Sequence, residues 1–411
     1  MVRNCFLCAL VLAVFSLTAC VLGAFQGSGP REQARFSREV VVTAGNRGVP
    51  ETPVSVMLPG GMFGNFALRR EADRAVVPCQ VERQGDRLRV VWIVPGMKPG
   101  ESVRYRLESQ REMPRPNAVS VRRAGDDAEI LVNGKLFTRY VTRGANKPYF
   151  YPLVGPTGVP ITRHYPMREV EGETRDHPHH RSFWFTHGDV NGVDFWSESS
   201  KAGKTEHSAY EALESGPIFG RLRARVNWIA PDGKKVCEDV REMLVYNTTQ
   251  GRLLDFEVTI LATNGPVVFG DTKEGTFGIR VATSMDVTGG NGHIVNSKGD
   301  KDRDAWGKRA EWCDYYGPVN GEVVGIAVMD HPTSFRHPTY WHVRDYGLFA
   351  ANPFGLRDFT GDRSANGSHT VPAGGRVTFR YRIYLHKGSA EQARVADVAY
   401  AYANPPKVEL R

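Results

Sequence analysis

The stretch "AEILVNGKLFTRYV", residues 128–141, constrains this chain more than any other. Asn133-Gly134 separates two runs of alternating apolar and polar residues. A two-residue type I′ turn needs left-handed backbone at both central positions, and Asn-Gly supplies it. A second hairpin reads from "RLRARVNWIA" through Pro231-Asp232-Gly233 to "KKVCEDVREMLVYN". Then follow "RLLDFEVTILAT", "TFGIRVA", "EVVGIAVMD" and "RVTFRYRIYLH". Long alternating strands argue for large antiparallel sheets packed face to face.

Shorter strand-like runs precede them: "REVVVTA", "TPVSVMLP", "DRLRVVWIVPG" and "ESVRYRLE". They predict a small N-terminal β domain, residues 30–115, with "REMPRPNA" at 111–118 as its boundary. The large antiparallel domain is expected over 120–388 and a C-terminal helix and tail over 389–411. In "SAEQARVADVAYAYANPP", Ser389 and Gln392 have capping-box spacing. Val395, Val398, Ala399 and Tyr402 then share a face, and Pro405-Pro406 closes the helix. The fold class is all-β.

Residues 1–24 read as a secretory signal, with Arg3 before the apolar "FLCALVLAVFSL". "LTAC" has the form of a lipobox, which makes Cys20 a candidate lipidated residue. The expectation is an exported protein, periplasmic, secreted or anchored at the cell envelope. "QGSGPREQ" follows as a linker. No other run nears the ~18 apolar residues a membrane helix needs, so no transmembrane span is expected in the mature chain. Beyond the leader only Cys79, Cys237 and Cys313 remain, which allows at most one disulfide and no CxxC metal site. The chain carries 53 Lys and Arg against 45 Asp and Glu, without a block of like charges. With no nucleic-acid signature, nucleic acid is not an expected partner. Nucleotide, serine-hydrolase and zincin motifs are also missing.

Chemistry concentrates in "RDHPHHRSFWFTHGDVNGVDFW", residues 175–196. In extended chain His177 and His179 share a side and His180 takes the other. An H-x-H pair can present two imidazoles to one metal, with His187 or Asp189 as third ligand. The same histidines can instead move protons near neutral pH, oriented by Asp176 or Asp189. In that case Phe183, Trp184, Phe185 and Trp196 suit the apolar faces of sugar rings. In a third reading the histidines bond backbone carbonyls and the aromatics are core. A second cluster, "MDHPTSFRHPTYWHVRDYGLFAANPFG" (329–355), repeats Asp-His-Pro and adds His337, His342, Arg344 and Asp345. A third, "FGDTKEGTFGIRVA" (269–282), sets Glu274 between glycines before Arg280. Glu274 suits a catalytic carboxylate and Arg280 a carbonyl or anion clamp.

With these three segments, the chain after about residue 120 resembles the bacterial PmoA-like family, catalogued as "methane oxygenase PmoA". The likeness implies His177, His179, His180, His187, Glu274, Arg280, His337, Asn352 and Phe354 as matching motif positions. The family's members are commonly exported proteins of environmental bacteria, and the family name implies copper-dependent hydrocarbon oxidation. The organisation is similar to the galactose mutarotase-type β-supersandwich, which implies carbohydrate chemistry with a histidine acid and a carboxylate base. The leading expectation is therefore an exported carbohydrate-active protein that epimerises, eliminates or hydrolyses a sugar or oxidised sugar. His177, His179, His187 and Glu274 are its catalytic candidates. Arg181, Trp184, Trp196, Arg280, His337 and Asn352 would bind substrate. One divalent metal, zinc or manganese, on His177, His179 and His187 is the variant mechanism. A non-catalytic cell-surface glycan-binding protein and the oxygenase are the alternatives.

Overall fold

In a computed structural model, residues 36–110 and 116–411 are described. The expected signal segment with Cys20, the linker after it and residues 111–115 of the expected boundary lie outside these residues.

Two eight-stranded sheets dominate Ser37–Arg411. One runs in the order Trp341–Val343, Leu348–Ala351, Gly275–Arg280, Phe183–His187, Tyr149–Phe150, Lys135–Val141, Asp127–Val132 and Val119–Ala124. The other runs Lys204–Glu214, Phe219–Ile229, Lys235–Tyr246, Arg252–Leu261, Arg376–Lys387, Glu322–Asp330, Trp312–Val319 and His293–Asn296. Neighbouring strands pair antiparallel throughout, as between Phe183–His187 and Gly275–Arg280. One contiguous core fills the space between the sheets, from Phe137 and Phe183 through Phe256 and Phe277 to Tyr381. All-β antiparallel architecture is thus the fold.

The local signals act where the residues place them. Asn133 and Gly134 both have positive φ, +49° and +76°, and join Asp127–Val132 to Lys135–Val141. Asp232 and Gly233 turn the chain between Phe219–Ile229 and Lys235–Tyr246. Ser389 and Gln392 do bond reciprocally, but the regular helix spans only Val395–Ala403. Arg394 has φ +54°, so the capped turn and the helix are separate elements. Val398 and Ala401, rather than Ala399 and Tyr402, are the helix's deeply buried residues beside Val395.

The N-terminal block forms a five-stranded sheet, in the order Lys407–Leu410, Ser37–Thr43, Ser102–Gln110, Asn65–Arg70 and Val76–Val77. A three-stranded sheet, Thr52–Met57, Arg87–Val94 and Gln80–Gln84, packs on it, with Trp92 edge-on to Tyr105. The stretch expected as a C-terminal tail thus supplies a strand to the first block. Cys79, Cys237 and Cys313 are buried and free. Among the described residues no helix is long and apolar enough to cross a membrane.

Candidate functional site

The strand Phe183–His187 decides where the histidines go. Its side chains alternate across the sheet. Phe183 and Phe185 enter the core between the sheets. Trp184 faces the other way and packs with Trp196, Tyr149, Leu348 and Ala350. On the paired strand Gly278 leaves room for it: a β-carbon there would come within 2.6 Å of the Trp184 ring.

Over this outer face the segment before the strand makes a tight turn. His177 has φ +43°, a left-handed value that histidine tolerates better than most residues. The His180 amide donates to the His177 carbonyl at 2.9 Å. Pro178 with its fixed φ suits the second position of such a turn. The extended geometry that would send His180 to the opposite side is therefore replaced. All three imidazoles meet: His177 stacks on His180 at 4.7 Å, and His179 stands edge-on to both. Tyr346, His177, His180 and Trp184 form one column of near-parallel rings, with centroid steps of 5.0, 4.7 and 5.4 Å.

Charged groups anchor the column. His177 Nδ1 bonds Asp176 Oδ2 at 2.8 Å. The other oxygen of Asp176 accepts from Arg280 at 2.8 Å and from Arg163. Both guanidiniums are sealed from solvent, whereas the Asp176 and His177 side chains keep 39% exposure. Arg280 also donates to His180 Nδ1 at 3.2 Å, which makes that nitrogen an acceptor. Beneath the turn, buried Lys147 donates to the carbonyls of His179 and Trp196 at 3.1 and 2.6 Å. Its ammonium lies 3.6 Å from Glu198, which is clasped bidentately by Arg181.

This environment sets the proton affinities. Burial first, then Lys147 and His177, bring His179 down to about 4. Burial, with His179 and Arg280 adding to it, holds His180 well below the usual range. Burial alone would raise Asp176, but Arg280, the His177 bond and Arg163 pull it below its ordinary value. Burial lowers Lys147 to about 8. Asp286, close enough to feel both Arg280 and Asp176, is raised by burial to about 7.

Several expected site residues sit elsewhere or act otherwise. His187 alternates inward with Phe183 and Phe185 and is fully buried. Its ring lies against Phe269 and Phe354, and Nε2 bonds the Gly270 carbonyl at 2.9 Å. It cannot share a metal or a substrate with His177 and His179, which lie on the other face. A zinc or manganese ion needs three or more converging donors. The outer face offers His177, His179 and His180, but His180 is buried and its Nδ1 accepts from Arg280, and Asp176 is already committed to two arginines. Among the described residues no group of three His, Cys, Asp or Glu converges for a metal. The donor set does not fit the metal variant.

Trp184 and Trp196 are 1% and 2% exposed, covered by His180 and by each other, so neither offers a face to a sugar. Arg181 is spent on Glu198. Arg280 is a structural clamp on Asp176 rather than a substrate clamp. Asn352 is fully buried and bonds the Thr272 carbonyl and the Phe354 amide. His337 bonds Asp330 at 2.9 Å, on a strand of the opposite sheet, with no contact to the histidine column. Glu274 remains at the rim: it pairs with Lys273 at 3.0 Å, and it adds a little to the burial that raises the proton affinity of the Tyr346 hydroxyl. Arg163, Tyr346, Lys147 and Asp286 complete the site without having been singled out. Only Tyr346 carried a signal, as part of the second histidine-rich segment.

The wider clefts lie away from the column. One of about 630 Å³ opens beside His293, Trp312 and the C-terminal helix, and another of about 640 Å³ beside His207 and Tyr210. The site is thus a shallow, loop-built patch on an outer sheet face.

A family model described as "Family of unknown function (DUF6807)" matches residues 127–400. No curated protein matches the chain. Among solved structures, an alpha-mannosidase from Enterococcus faecalis V583 is similar, with TM-score 0.42 and 12% identity over 91% of this chain and 46% of that one. A protein in the glycosyl hydrolase family 38 from Enterococcus faecalis gives 0.39 and 11%, over 91% and 47%. The chain spans about half the length of these proteins.

Proposed function

The chain belongs to the DUF6807 family, and we propose that its outer-face histidine turn is an acid–base site for carbohydrate in an exported protein. One observation carries the reading: the exposed His177 is bonded to a carboxylate that two buried arginines hold in place. Bonding of Nδ1–H to Asp176 fixes the tautomer and leaves Nε2 as the basic nitrogen. The two arginines hold Asp176, and Asp176 in turn holds the imidazole in place while Nε2 exchanges a proton with substrate. His179 is neutral at pH 7 and stands beside it as an acceptor. Glu274, close enough to act electrostatically on Tyr346, is a further carboxylate beside the column. Such a set moves protons on a sugar or oxidised sugar, as epimerisation and elimination require. The choice of carbohydrate rests on the two-sheet architecture with loop-built polar groups on one outer face, an analogy at the level of fold.

The test is turnover on a panel of sugars and oxidised sugars, read by NMR as loss or exchange of carbon-bound protons. His177→Gln and Asp176→Asn are expected to lose about 100-fold or more. Activity unchanged in both variants would refute the assignment. Sugar binding that these changes weaken, in a wild-type protein without turnover, would mean a glycan-binding protein instead.

A further inference from the structure

Three guanidiniums crowd the Tyr346 end of the ring column, and among the described residues only two are ion-paired to a carboxylate. Arg163 and Arg280 share Asp176. Arg344 lies between two rings, 5.8 Å over Trp306 and 5.3 Å over Tyr346. Its guanidinium makes no hydrogen bond or ion pair among the described residues. The carboxylates around it are already engaged. Asp345 accepts from Arg303 at 2.6 Å and from Thr288 at 2.9 Å, both through Oδ2, and acts on Arg344 only electrostatically, without an ion pair. Glu274 pairs with Lys273. Asp286 is buried and turned toward Arg280 and Gly347 rather than outward.

The two rings are themselves held. Trp306 Nε1 donates to His342 Nδ1 at 2.8 Å, and Tyr346 is stacked on His177 within 3° of parallel. A guanidinium held over fixed rings loses little freedom on binding and keeps its N–H edge for a planar anion.

We propose that Arg344 is the specificity-determining residue of this site and takes the carboxylate of a uronate-bearing carbohydrate. This rests on the carbohydrate reading above. The shared Tyr346 ring places that carboxylate beside the sugar carbon that His177 serves. His177 Nε2, held by Asp176, takes the proton from the carbon next to that carboxylate, and the C–H electron pair passes into the carboxylate as an enediolate paired with Arg344. Returning a proton to the other face of that carbon completes epimerisation, and loss of the β-oxygen with formation of a C=C bond completes elimination.

The test uses the full chain on an array of uronate-bearing, sulfated and neutral oligosaccharides, followed by calorimetry on the best ligand and its neutral counterpart. Uronates are expected to lead the array and to bind about tenfold or more tighter than neutral counterparts, as a charge-assisted bidentate bond allows. Arg344→Gln should bring that ratio to near one, with Arg344→Lys between. In wild type the preference should shrink as salt rises, a readout independent of whether Arg344→Gln folds. A neutral ligand at the head of the array, or an Arg344→Gln protein that keeps the preference, would overturn the proposal. Sulfated ligands ahead of uronates would overturn the choice of carboxylate. If wild type turns over neutral sugars and loses this with His177→Gln, the acid–base reading stands while the Arg344 proposal falls. If no carbohydrate of any class binds, the carbohydrate reading falls and takes this one with it.

Discussion

The two faces of the strand Phe183–His187 treat histidine in opposite ways. On the inner face His187 is enclosed by Phe269 and Phe354, with Nδ1 lacking any partner. On the outer face His180 and His177 stack above Trp184 and reach solvent through His177. The same residue type is a core filler on one side and a carboxylate-bonded group that reaches solvent on the other. Sequence neighbourhood groups them, and the pleat separates them. What makes the outer group chemically distinctive is Asp176 with its two arginines, not the number of imidazoles.

That contrast can be broken at several points. The largest effect should come from Asp176→Ala, which leaves Arg163 and Arg280 buried without their ion-pair partner. A loss of about 3–5 kcal/mol in urea unfolding is expected. A loss under about 1 kcal/mol would mean the arginines are not anchored through this carboxylate. His187→Ala empties a core position and should cost about 3 kcal/mol with no change in ligand binding on the outer face.

Acid comes next. Burial holds His187 at about 4 in the folded chain, below the ordinary 6.5. The unfolded chain therefore takes that proton first as pH falls. Stability from this group is complete above about 6.5 and declines toward pH 4, by about 1.4 kcal/mol per unit. His386 works in the reverse sense. Burial lowers its proton affinity, but Asp314 more than offsets that and leaves it raised. Its contribution is whole below 6.5 and is lost as pH climbs through its folded value. Unfolding curves at pH 7, 6 and 5 should show a slope that His187→Leu flattens. An unchanged slope would place the acid sensitivity elsewhere.

Gly278→Ala pushes a β-carbon against the Trp184 ring, which His180 and Trp196 block from retreating. About 1–3 kcal/mol of overpacking is expected, read as a lower melting temperature. The smallest stability effect belongs to His177→Ala, within about 0.5 kcal/mol, despite the loss of chemistry predicted for it. A large destabilisation there would recast His177 as a structural residue.

The strands were legible because alternation and turn chemistry are local. Asn133-Gly134 alone fixes one hairpin. The histidine turn was legible as a cluster but not as a geometry. Pro178 disfavours a regular strand, yet only tertiary contacts bring Tyr346 and Arg280 onto His177 and His180. Arg163, held to Asp176 from the segment before the turn, sits in "TRHYP" with nothing to mark it as a partner. The expectation for Trp184 and Trp196 failed for a related reason. An aromatic beside a polar cluster reads the same whether it meets a ligand or lies under a histidine, and burial alone tells them apart. His337 and Asn352 were grouped with the site by motif, but their hydrogen bonds tie them to Asp330 and Thr272.

The pairing of Ser37–Thr43 with Lys407–Leu410 has a consequence for biosynthesis. A chain emerging from the ribosome delivers Ser37–Thr43 and its other partner Ser102–Gln110 early, so most of the first block can assemble on its own. One flank of Ser37–Thr43 then stays bare through the synthesis of some three hundred further residues, a row of unpaired amides and carbonyls of the kind that captures stray strands. Val40 meets Leu410 only when translation has passed both large sheets. A chain truncated before Lys407–Leu410 would leave this edge of Ser37–Thr43 open to stray strands, and the finished molecule conceals it.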